Sequence, residues 1–372
     1  MKITRFETLP VRVPLKPGLT TKTAHGEHAV STYVVLRVHT DEGLVGLGEA
    51  TVDPRWSGET ADSVISAIEK LIGPALTGED PRSIHLLRAK MDRLMKLNPF
   101  TKSAVEMALW DITGKAAGVP VYQLLGGKVR DVVPIKLVVG AFDTPKAVQL
   151  AERFLKDGVR TLKIKVGLDP EADVERVKAV RELAGSDIPI GIDANCGWNI
   201  SVAMRTLRKL EPYNLLFAEQ PIPPGNPEAL AQLRPYTSAA IMADESVFTL
   251  NDAWLVAAAK AADVLSVYPG KNGGIWATVE IAHVAKAAGI VCHMGSNLEL
   301  GVGSAAMLHV AAAVATIDSE RYPSDIIGPL YHQADLLAEP LELGPPAAKV
   351  PNGPGLGVEL DEKQLKHFAT EL

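Results

Sequence analysis

Four short apolar runs in the middle of the chain each end in ionisable side chains: TLKIKV (161–166), PIGIDAN (189–195), LLFAEQP (215–221) and IMADES (241–246). Three similar runs lie at 135–139, 264–268 and 290–293. The run ends recur about every 24 to 28 residues, the length of one strand–loop–helix–loop unit. Seven or eight such units predict a (β/α) barrel of about 200 residues, with a doubly wound sheet as the alternative.

The chain before and after these runs has a different pattern. Three alternating runs, Ile3–Leu15, Tyr33–Thr40 and Leu44–Glu49, predict an antiparallel sheet. Helical patterns follow at Glu59–Ile72, Pro81–Met95 and Thr101–Ala117, and a Pro/Gly-rich tail covers Leu341–Leu360. We therefore expect an α+β module at residues 1–128, a barrel at 129–330 and a C-terminal segment, 331–372, that returns to the first module.

Composition argues against several classes of function. The 372 residues carry a net charge of −6 without a basic run, so a nucleic-acid surface would lack its electrostatic footprint. Polar residues interrupt the most apolar stretch, 289–317, and the N-terminus has no signal-peptide core. The two cysteines, Cys196 and Cys292, are too few for a disulfide framework, and we expect them to pack near strand ends. These features predict a cytoplasmic protein that acts on a small metabolite, with no membrane or nucleic-acid partner.

Three carboxylates stand at equivalent positions, where successive predicted strands end: Asp193, Glu219 and Asp244. In a barrel, the carboxyl ends of the strands form the rim that carries the active site. Each acid alone could instead cap the following helix, but three at equivalent positions favour a shared site. Converging carboxylates need a cation, and oxygen ligands without Cys or His favour Mg²⁺ over zinc.

A pair of lysines, Lys163 and Lys165, lies on the first of these strands. Residues two apart in a strand point to the same side, so both ammonium groups would enter the barrel together. Two buried cations lower each other's pKa, which makes one of them a candidate base near pH 7. The alternative is two solvated lysines on a surface strand, which conflicts with a barrel strand that is covered on both faces.

Motifs along almost the whole chain are similar to those of a known family. They are GLVGLGE (43–49), SAVEMALWD (103–111), the Lys163/Lys165 pair, DAN (193–195), EQP (219–221), DES (244–246), GG (273–274), GSNLE (295–299) and GPGLG (353–357). In this order and spacing the chain resembles the muconate-lactonizing subgroup of the enolase superfamily, whose members use lysine or histidine bases and Mg²⁺.

The resemblance implies a modified (β/α)₇β barrel under an α+β capping domain built from both termini. It implies Asp193, Glu219 and Asp244 as Mg²⁺ ligands, Lys165 as the acid/base and Lys163 as its electrostatic partner. Two cap loops, 17–31 and 52–59, would face a small carboxylate substrate through His25, Arg55 and Trp56, although they could also be ordinary solvated loops. We also expect a homo-oligomer.

One departure from the family pattern bears on the reaction. The second catalytic lysine of the family lies five residues before the Gly-Gly pair, where this chain has Tyr268. A phenol donates a proton readily but is a poor base. Lys271 lies on the same turn and is a candidate substrate contact, as are His293, which could instead be packed, and Glu299, which could instead support the site from behind.

These residues favour chemistry with one base. Lys165 would abstract the proton beside a carboxylate, an enediolate would form, and syn elimination or cycloisomerisation would follow. Racemisation or epimerisation of an amino acid, dipeptide or betaine is the alternative, because it needs a base on each face of the substrate. A non-catalytic metabolite-binding member is disfavoured because the carboxylate triad and the lysine pair are intact. A metal-dependent aldolase would not need the lysine pair and would not explain the cap and tail motifs.

Overall fold

The computed structural model describes residues 1–370. Its strands are β1 (Ile3–Pro14), β2 (Thr21–Thr23), β3 (Gly26–His28), β4 (Val30–Thr40), β5 (Val45–Val52), β6 (Val132–Pro134), β7 (Leu137–Val139), β8 (Leu162–Lys165), β9 (Ile190–Asp193), β10 (Phe217–Glu219), β11 (Ala240–Ala243), β12 (Val264–Val267), β13 (Val291–Met294) and β14 (Ala347–Lys349). Its α-helices are α1 (Ala61–Ala67), α2 (Gly73–Leu76), α3 (Ile84–Leu94), α4 (Pro99–Ala117), α5 (Val121–Leu124), α6 (Thr144–Lys156), α7 (Pro170–Ala184), α8 (Ile200–Leu210), α9 (Pro227–Ala231), α10 (Leu250–Ala258), α11 (Pro269–Asn272), α12 (Ile275–Ala287), α13 (Gly301–Ala313), α14 (Gly328–Tyr331) and α15 (Glu362–Phe368). None of the described helices is long and apolar enough to cross a membrane.

The first module is an antiparallel sheet covered by helices. Strand β4 lies between β1 and β5 and pairs with both in antiparallel register. Helix α4 packs so closely on β5 that a Cβ on Gly46 or Gly48 would lie 2.1 Å from Ala108 O or 1.9 Å from Ala104 O, respectively. Both glycines are therefore required by the approach of a helix backbone to a strand.

Two predicted helices begin later than the sequence pattern suggested. The pattern from Glu59 becomes helical only at Ala61, because Thr60 and Ser63 form a reciprocal capping box. The pattern from Pro81 becomes helical only at Ile84, because Asp80 holds the preceding turn through hydrogen bonds from the backbone N–H groups of residues 82 and 83. In both cases the polar side chain before the helix favours a cap or turn.

The barrel is a parallel sheet in the order β7 to β13, which follows the chain order. Adjacent strands pair in parallel register, and residues 190–193 of β9, for example, are all buried. This burial agrees with the apolar runs of the sequence, because a barrel strand is covered on both faces. The prediction of a (β/α) barrel, rather than a doubly wound sheet, is confirmed.

An irregular eighth segment closes the ring between β13 and β7. The backbone of Cys292 exchanges hydrogen bonds with Thr316 and Asp318, at 2.8 and 3.0 Å. Further along, Lys136 N donates to Ser324 O at 3.0 Å, and Asp325 N donates to Met294 O at 2.9 Å. Residues 316–325 therefore take the place of an eighth strand, and Asp325 lies at the same rim as the other strand ends.

The C-terminal segment packs across both parts of the molecule. Strand β14 pairs with β6 below the barrel, and Leu356 N donates a 2.8 Å hydrogen bond to Asp111 on α4. Helix α15 packs on β1, where Ala369 bridges Val11. Because Asp111 Oδ2 also accepts from Leu47 N at 2.9 Å, one buried carboxylate ties the tail, α4 and β5 together.

Candidate active site

Three buried carboxylates lie side by side on the barrel rim. Asp193 and Glu219 are the last residues of β9 and β10 and are directly paired in register, while Asp244 follows the last residue of β11. Their exposed fractions are 1%, 2% and 5%. The parallel sheet thus brings together the three acids that the sequence placed at strand ends.

Burial makes this group of acids electrostatically unfavourable. Desolvation, with a further contribution from the neighbouring carboxylates, raises the pKa of Glu219 to about 8. Burial would also raise the pKa of Asp193, but Lys165 and Lys163 together lower it below its ordinary value. A hard divalent cation would relieve the remaining repulsion, and an oxygen-only donor set suits Mg²⁺.

The two lysines of β8 have different surroundings. Lys163 Nζ is buried and lies 2.6 Å from Asp325 Oδ2, 2.9 Å from Glu219 Oε2 and 3.5 Å from Asp193 Oδ2. Burial alone would lower the pKa of Lys163, but these carboxylates raise it well above its ordinary value. Lys163 therefore stays charged, which suits the role of electrostatic partner.

Lys165 is more exposed than Lys163, although both line the cavity. Its Nζ donates to Asp193 Oδ2 at 2.6 Å and to Asn195 Oδ1 at 2.8 Å, and its side chain is 13% exposed. Lys163 and Lys165 are the lysines that line the cavity in the described part of the chain. Lys165 is thus the ammonium group that can most readily reach a bound substrate.

Tyr268 and Lys271 lie at the opposite side of the barrel, just after β12. Tyr268 is fully buried, and its hydroxyl finds no hydrogen-bond partner of normal geometry among residues 1–370. Desolvation raises the pKa of Tyr268 well above its ordinary value. A Cβ on Gly295 would lie 3.0 Å from the Tyr268 ring and 2.3 Å from Ser266 Oγ, so a larger residue such as histidine does not fit at position 295 without rearrangement.

The structure places Lys271 away from the expected substrate contact. Its buried ammonium group donates to Asp244 Oδ1 at 2.6 Å, to Asp244 O at 2.8 Å and to Ser266 O at 2.8 Å. An ammonium group has three N–H donors, so all of them are used within the protein. Lys271 therefore holds Asp244, a metal-ligand candidate, from behind, because its side chain turns inward from the short helix α11.

His293 and Glu299 also lie behind the cavity rather than on its wall. His293 is fully buried, and Lys136 Nζ lies 2.5 Å from its Nε2 atom. The Glu299 carboxylate accepts from Ser296 Oγ and from the backbone of Asn297, so it closes its own turn. His293 is therefore packed in the interior and does not line the cavity, which was one of the two roles expected from the sequence. Glu299 supports the loop after β13.

Sequence reasoning missed two residues of a buried network, Asp325 and Lys136. Asp325 accepts from Lys163 and lies 3.0 Å from Lys136 Nζ, and these cations keep its pKa well below its ordinary value despite burial. Burial lowers the pKa of Lys136 to about 8. Asp325 follows an irregular segment instead of an alternating strand, so periodicity gave no signal for it.

Sequence reasoning also missed two residues that connect the base to the cap, Asn195 and Glu245. Asn195 accepts from Lys165 and donates to Glu245 Oε1 at 3.1 Å. His25 Nε2 lies 3.1 Å from the same oxygen. Glu245 directly follows Asp244 in DES, and Asn195 lies two residues after Asp193 in DAN. This proximity to a strand-end acid was the signal that could have identified them.

The cap loops form the outer wall of a cavity of about 300 Å³ above these groups. His25, Arg55 and Trp56 all line it, as the sequence suggested. The His25 and Trp56 rings meet edge to face with centroids 5.2 Å apart, and Arg55 donates to His25 O. The two cap loops therefore hold each other over the barrel rim.

Comparison with known proteins places this geometry in a family. Residues 3–126 match the N-terminal domain of mandelate racemase / muconate lactonizing enzyme, and residues 146–364 match the enolase C-terminal domain-like family. The chain belongs to the mandelate racemase/muconate lactonizing enzyme family. It is therefore an enzyme of the enolase superfamily, in the muconate-lactonizing subgroup.

Family members with different activities resemble the chain to a similar degree. N-succinyl-L-Arg/Lys racemase from Bacillus cereus is 33% identical over 369 residues, 99% of this chain and 98% of that protein. The muconate lactonizing enzyme structure from Pseudomonas fluorescens, complexed with muconolactone, has a TM-score of 0.95 and 33% identity and covers 99% of each chain. A dipeptide epimerase from Enterococcus faecalis, complexed with Mg and L-Leu-L-Tyr, has a TM-score of 0.91 and 32% identity over 96% of this chain and 100% of its own.

Proposed function

We propose that this family member is a Mg²⁺-dependent enzyme that removes the proton beside the carboxylate of a small substrate. Lys165 is the base, and the reaction finishes on the same face of the substrate, as a syn elimination or a cycloisomerisation. The observation that carries this proposal is the difference between the two sides of the barrel. One side presents the Lys165 amine to the cavity, whereas Tyr268 on the other side is fully buried and is not among the described residues that line the cavity.

The order of the strands puts these two groups on opposite sides. Strand β8 is second and β12 is sixth in a ring closed by an eighth segment, so they face each other across the barrel. Lys165 ends β8, and Tyr268 follows β12. Lys271 cannot replace an amine at that position without giving up its hydrogen bonds to Asp244 and Ser266.

A single base can serve both steps of a one-face reaction. Lys165 takes the proton, and its conjugate acid then protonates the leaving group or the new carbon centre on that face. Asn195 and Asp193 hold the Lys165 ammonium group at 2.8 and 2.6 Å. The charged Lys163 adds positive potential beside the substrate carboxylate as negative charge develops there.

Asp193, Glu219 and Asp244 are the residues that would hold the metal ion. A bound Mg²⁺ would supply positive charge that stabilises the negative charge developing on the substrate carboxylate. Lys271 fixes the orientation of Asp244, while Lys163 partly neutralises Glu219. These contacts support a site built for a cation, because each ligand candidate is already oriented by the protein.

The cavity supports a small and polar substrate. Its volume of about 300 Å³ is at the lower end of the range for ligand sites. Threonine, histidine and acidic side chains of the cap loops line much of its outer wall, including Thr21, Thr23, His28 and Asp53. A small carboxylate with further polar groups fits this lining better than an extended apolar molecule.

Epimerisation is the second candidate function, because relatives of similar identity are named racemases and epimerases. It would require Tyr268 to return or remove a proton on the opposite face. Burial raises the pKa of the Tyr268 phenol, which makes its deprotonation to an active base more costly. Each unit by which the pKa would have to fall requires about 1.4 kcal/mol of stabilisation of the phenolate.

The two candidates differ in stereochemistry. Small carboxylates, including muconates, hydroxy-amino acids and N-acylated or dipeptide amino acids, are incubated with the enzyme and Mg²⁺ in D₂O. The one-base proposal predicts deuterium exchange or turnover for one configuration at the α-carbon only. Interconversion of both configurations that is lost in Tyr268→Phe, while exchange on one face remains, would instead assign an epimerase.

A further inference from the structure

A second cluster of metal-ligand side chains lies where the first cap loop meets the barrel rim. It consists of His25 on the cap loop, Cys196 after β9 and Glu245 after β11. One ligand atom from each lies within 4.8 Å of the other two, and His25 Nε2 is 3.1 Å from Glu245 Oε1. None of the three belongs to the carboxylate triad proposed for Mg²⁺.

We propose that His25, Cys196 and Glu245 form a second metal site, which takes a borderline or soft divalent cation such as Zn²⁺ and fastens the cap loop to the barrel. Sulfur, imidazole nitrogen and carboxylate oxygen are the donors that zinc uses in proteins. Three protein ligands would leave a fourth position for water or a substrate group, as in sites that are not purely structural.

The donor set separates this site from the catalytic one. Asp193, Glu219 and Asp244 offer only oxygen, which suits Mg²⁺, whereas a thiol is a poor ligand for Mg²⁺. In a tetrahedral site with metal–ligand distances of about 2.0 to 2.3 Å, ligand atoms are roughly 3 to 4 Å apart. The observed separations need only small side-chain adjustments to reach this geometry.

Glu245 provides a second, independent indication of a ligand. The residue is 9% exposed, and its Oε2 atom has no hydrogen-bond partner of normal geometry within the described chain. Buried carboxylate oxygens are normally satisfied, so an unpaired one beside a histidine and a thiol fits a missing cation partner. Burial and the nearby carboxylates raise the pKa of Cys196, so metal binding would release the thiol proton.

A metal ion at this site would act on access to the cavity. His25 lies between β2 and β3 on the loop that forms the outer wall, whereas Cys196 and Glu245 belong to the rim. Linking them holds the loop closed. Because Glu245 also accepts from Asn195, which holds Lys165, the same ion would alter the hydrogen bonds that position the proposed base. We therefore expect Zn²⁺ to inhibit the Mg²⁺-loaded enzyme.

The test uses the full chain saturated with Mg²⁺ and titrated with Cd²⁺ or Zn²⁺. Sulfur-to-metal charge-transfer absorption reports Cd²⁺ bound to a thiolate, and equilibrium dialysis reports the stoichiometry. Cys292 is the other cysteine of the chain and lies buried on β13, so Cys292→Ser is the matched control. Circular dichroism checks that each variant is folded.

We expect one additional ion per chain and a charge-transfer band in the wild type and in Cys292→Ser. The band should disappear in Cys196→Ser, and His25→Gln should bind at least about tenfold more weakly. Zn²⁺ should also protect residues 17–31 from limited proteolysis in the wild type but not in His25→Gln. A band that persists in Cys196→Ser, an unchanged affinity in His25→Gln or no protection of the loop would overturn the proposal.

Discussion

Replacing Gly48 by alanine tests how the first module is packed. A Cβ at this position would lie 1.9 Å from Ala104 O, whereas ordinary contacts begin at 3.4 Å. Helix α4 would have to move by about 1.5 Å to make room, since both clashing groups are backbone or Cβ atoms. Overpacking a filled core costs about 1 to 3 kcal/mol, and a clash with backbone belongs at the upper end.

Helix α4 is held in ways that resist this movement. Glu59 binds the backbone N–H groups at its start, and Glu106 on α4 accepts from the first residues of α12 at about 2.5 to 3.0 Å. We therefore expect Gly48→Ala to lose about 3 kcal/mol. For a chain of this size, that loss corresponds to a melting temperature lower by about 4 °C, measured by circular dichroism or calorimetry.

Gly46→Ala provides an internal check on this reasoning. Its Cβ would meet Ala108 O at 2.1 Å, one turn further along the same helix. A single displacement of α4 relieves both clashes, so the double variant should lose clearly less than the sum of the two single losses. Gly43→Asn is the control, because Gly43 has φ +81°, which Asn tolerates, and open space around it. Melting of Gly48→Ala within about 1 °C of the wild type, or full additivity, would refute the argument.

Three further predictions follow from other contacts. His309, which is buried, has its pKa lowered to about 4, while the unfolded chain protonates near 6.5. The contribution of His309 to stability should therefore be complete above pH 6.5 and should be lost as pH falls from 6.5 towards 4. Between pH 7 and 5, the free energy of unfolding should fall by about 2 kcal/mol less in His309→Gln than in the wild type. Urea unfolding at several pH values measures this difference, and an equal fall in both proteins would contradict the assignment. Glu59 accepts hydrogen bonds from Phe100 N, Thr101 N and Thr101 Oγ. Glu59→Gln should therefore lower the free energy of unfolding by about 1 to 2 kcal/mol and expose residues 52–59 to proteolysis. An unchanged melting curve and cleavage pattern would count against this role. Removal of divalent metal by a chelator should abolish proton exchange, and added Mg²⁺ should restore it; full exchange in the chelated protein would rule out the metal site.

Much of the rim could be predicted from the sequence, because barrel geometry converts spacing into position. Lys165, Asp193 and Glu219 end successive strands, and parallel pairing then places them side by side. The positions of these three residues on the rim follow from strand spacing alone, without knowledge of where each side chain points. The fold class followed from the same repeat, since seven similar units have few ways to pack.

Side-chain direction after a strand end could not be predicted in this way. Lys271 lies on a turn next to the cavity, and only the structure shows that its ammonium group points inward to Asp244. Asp325 ends an irregular segment that contains Pro323, so it has neither alternation nor a regular ladder to mark it. Lys136 is a buried charge that is stabilised by Asp325, a residue far away in the sequence but adjacent in the structure. Pairs of this kind are not visible in local sequence patterns.

The most direct test of the proposed chemistry compares wild-type protein with Lys165→Ala in D₂O, with Mg²⁺ binding measured separately for both by calorimetry. Lys165 is not among the proposed metal ligands, so Lys165→Ala should still bind Mg²⁺ while losing detectable α-proton exchange with every carboxylate that the wild type accepts. Wild-type protein should exchange one configuration of each such substrate. Exchange in Lys165→Ala near the wild-type rate, with the metal bound, would show that another residue is the base.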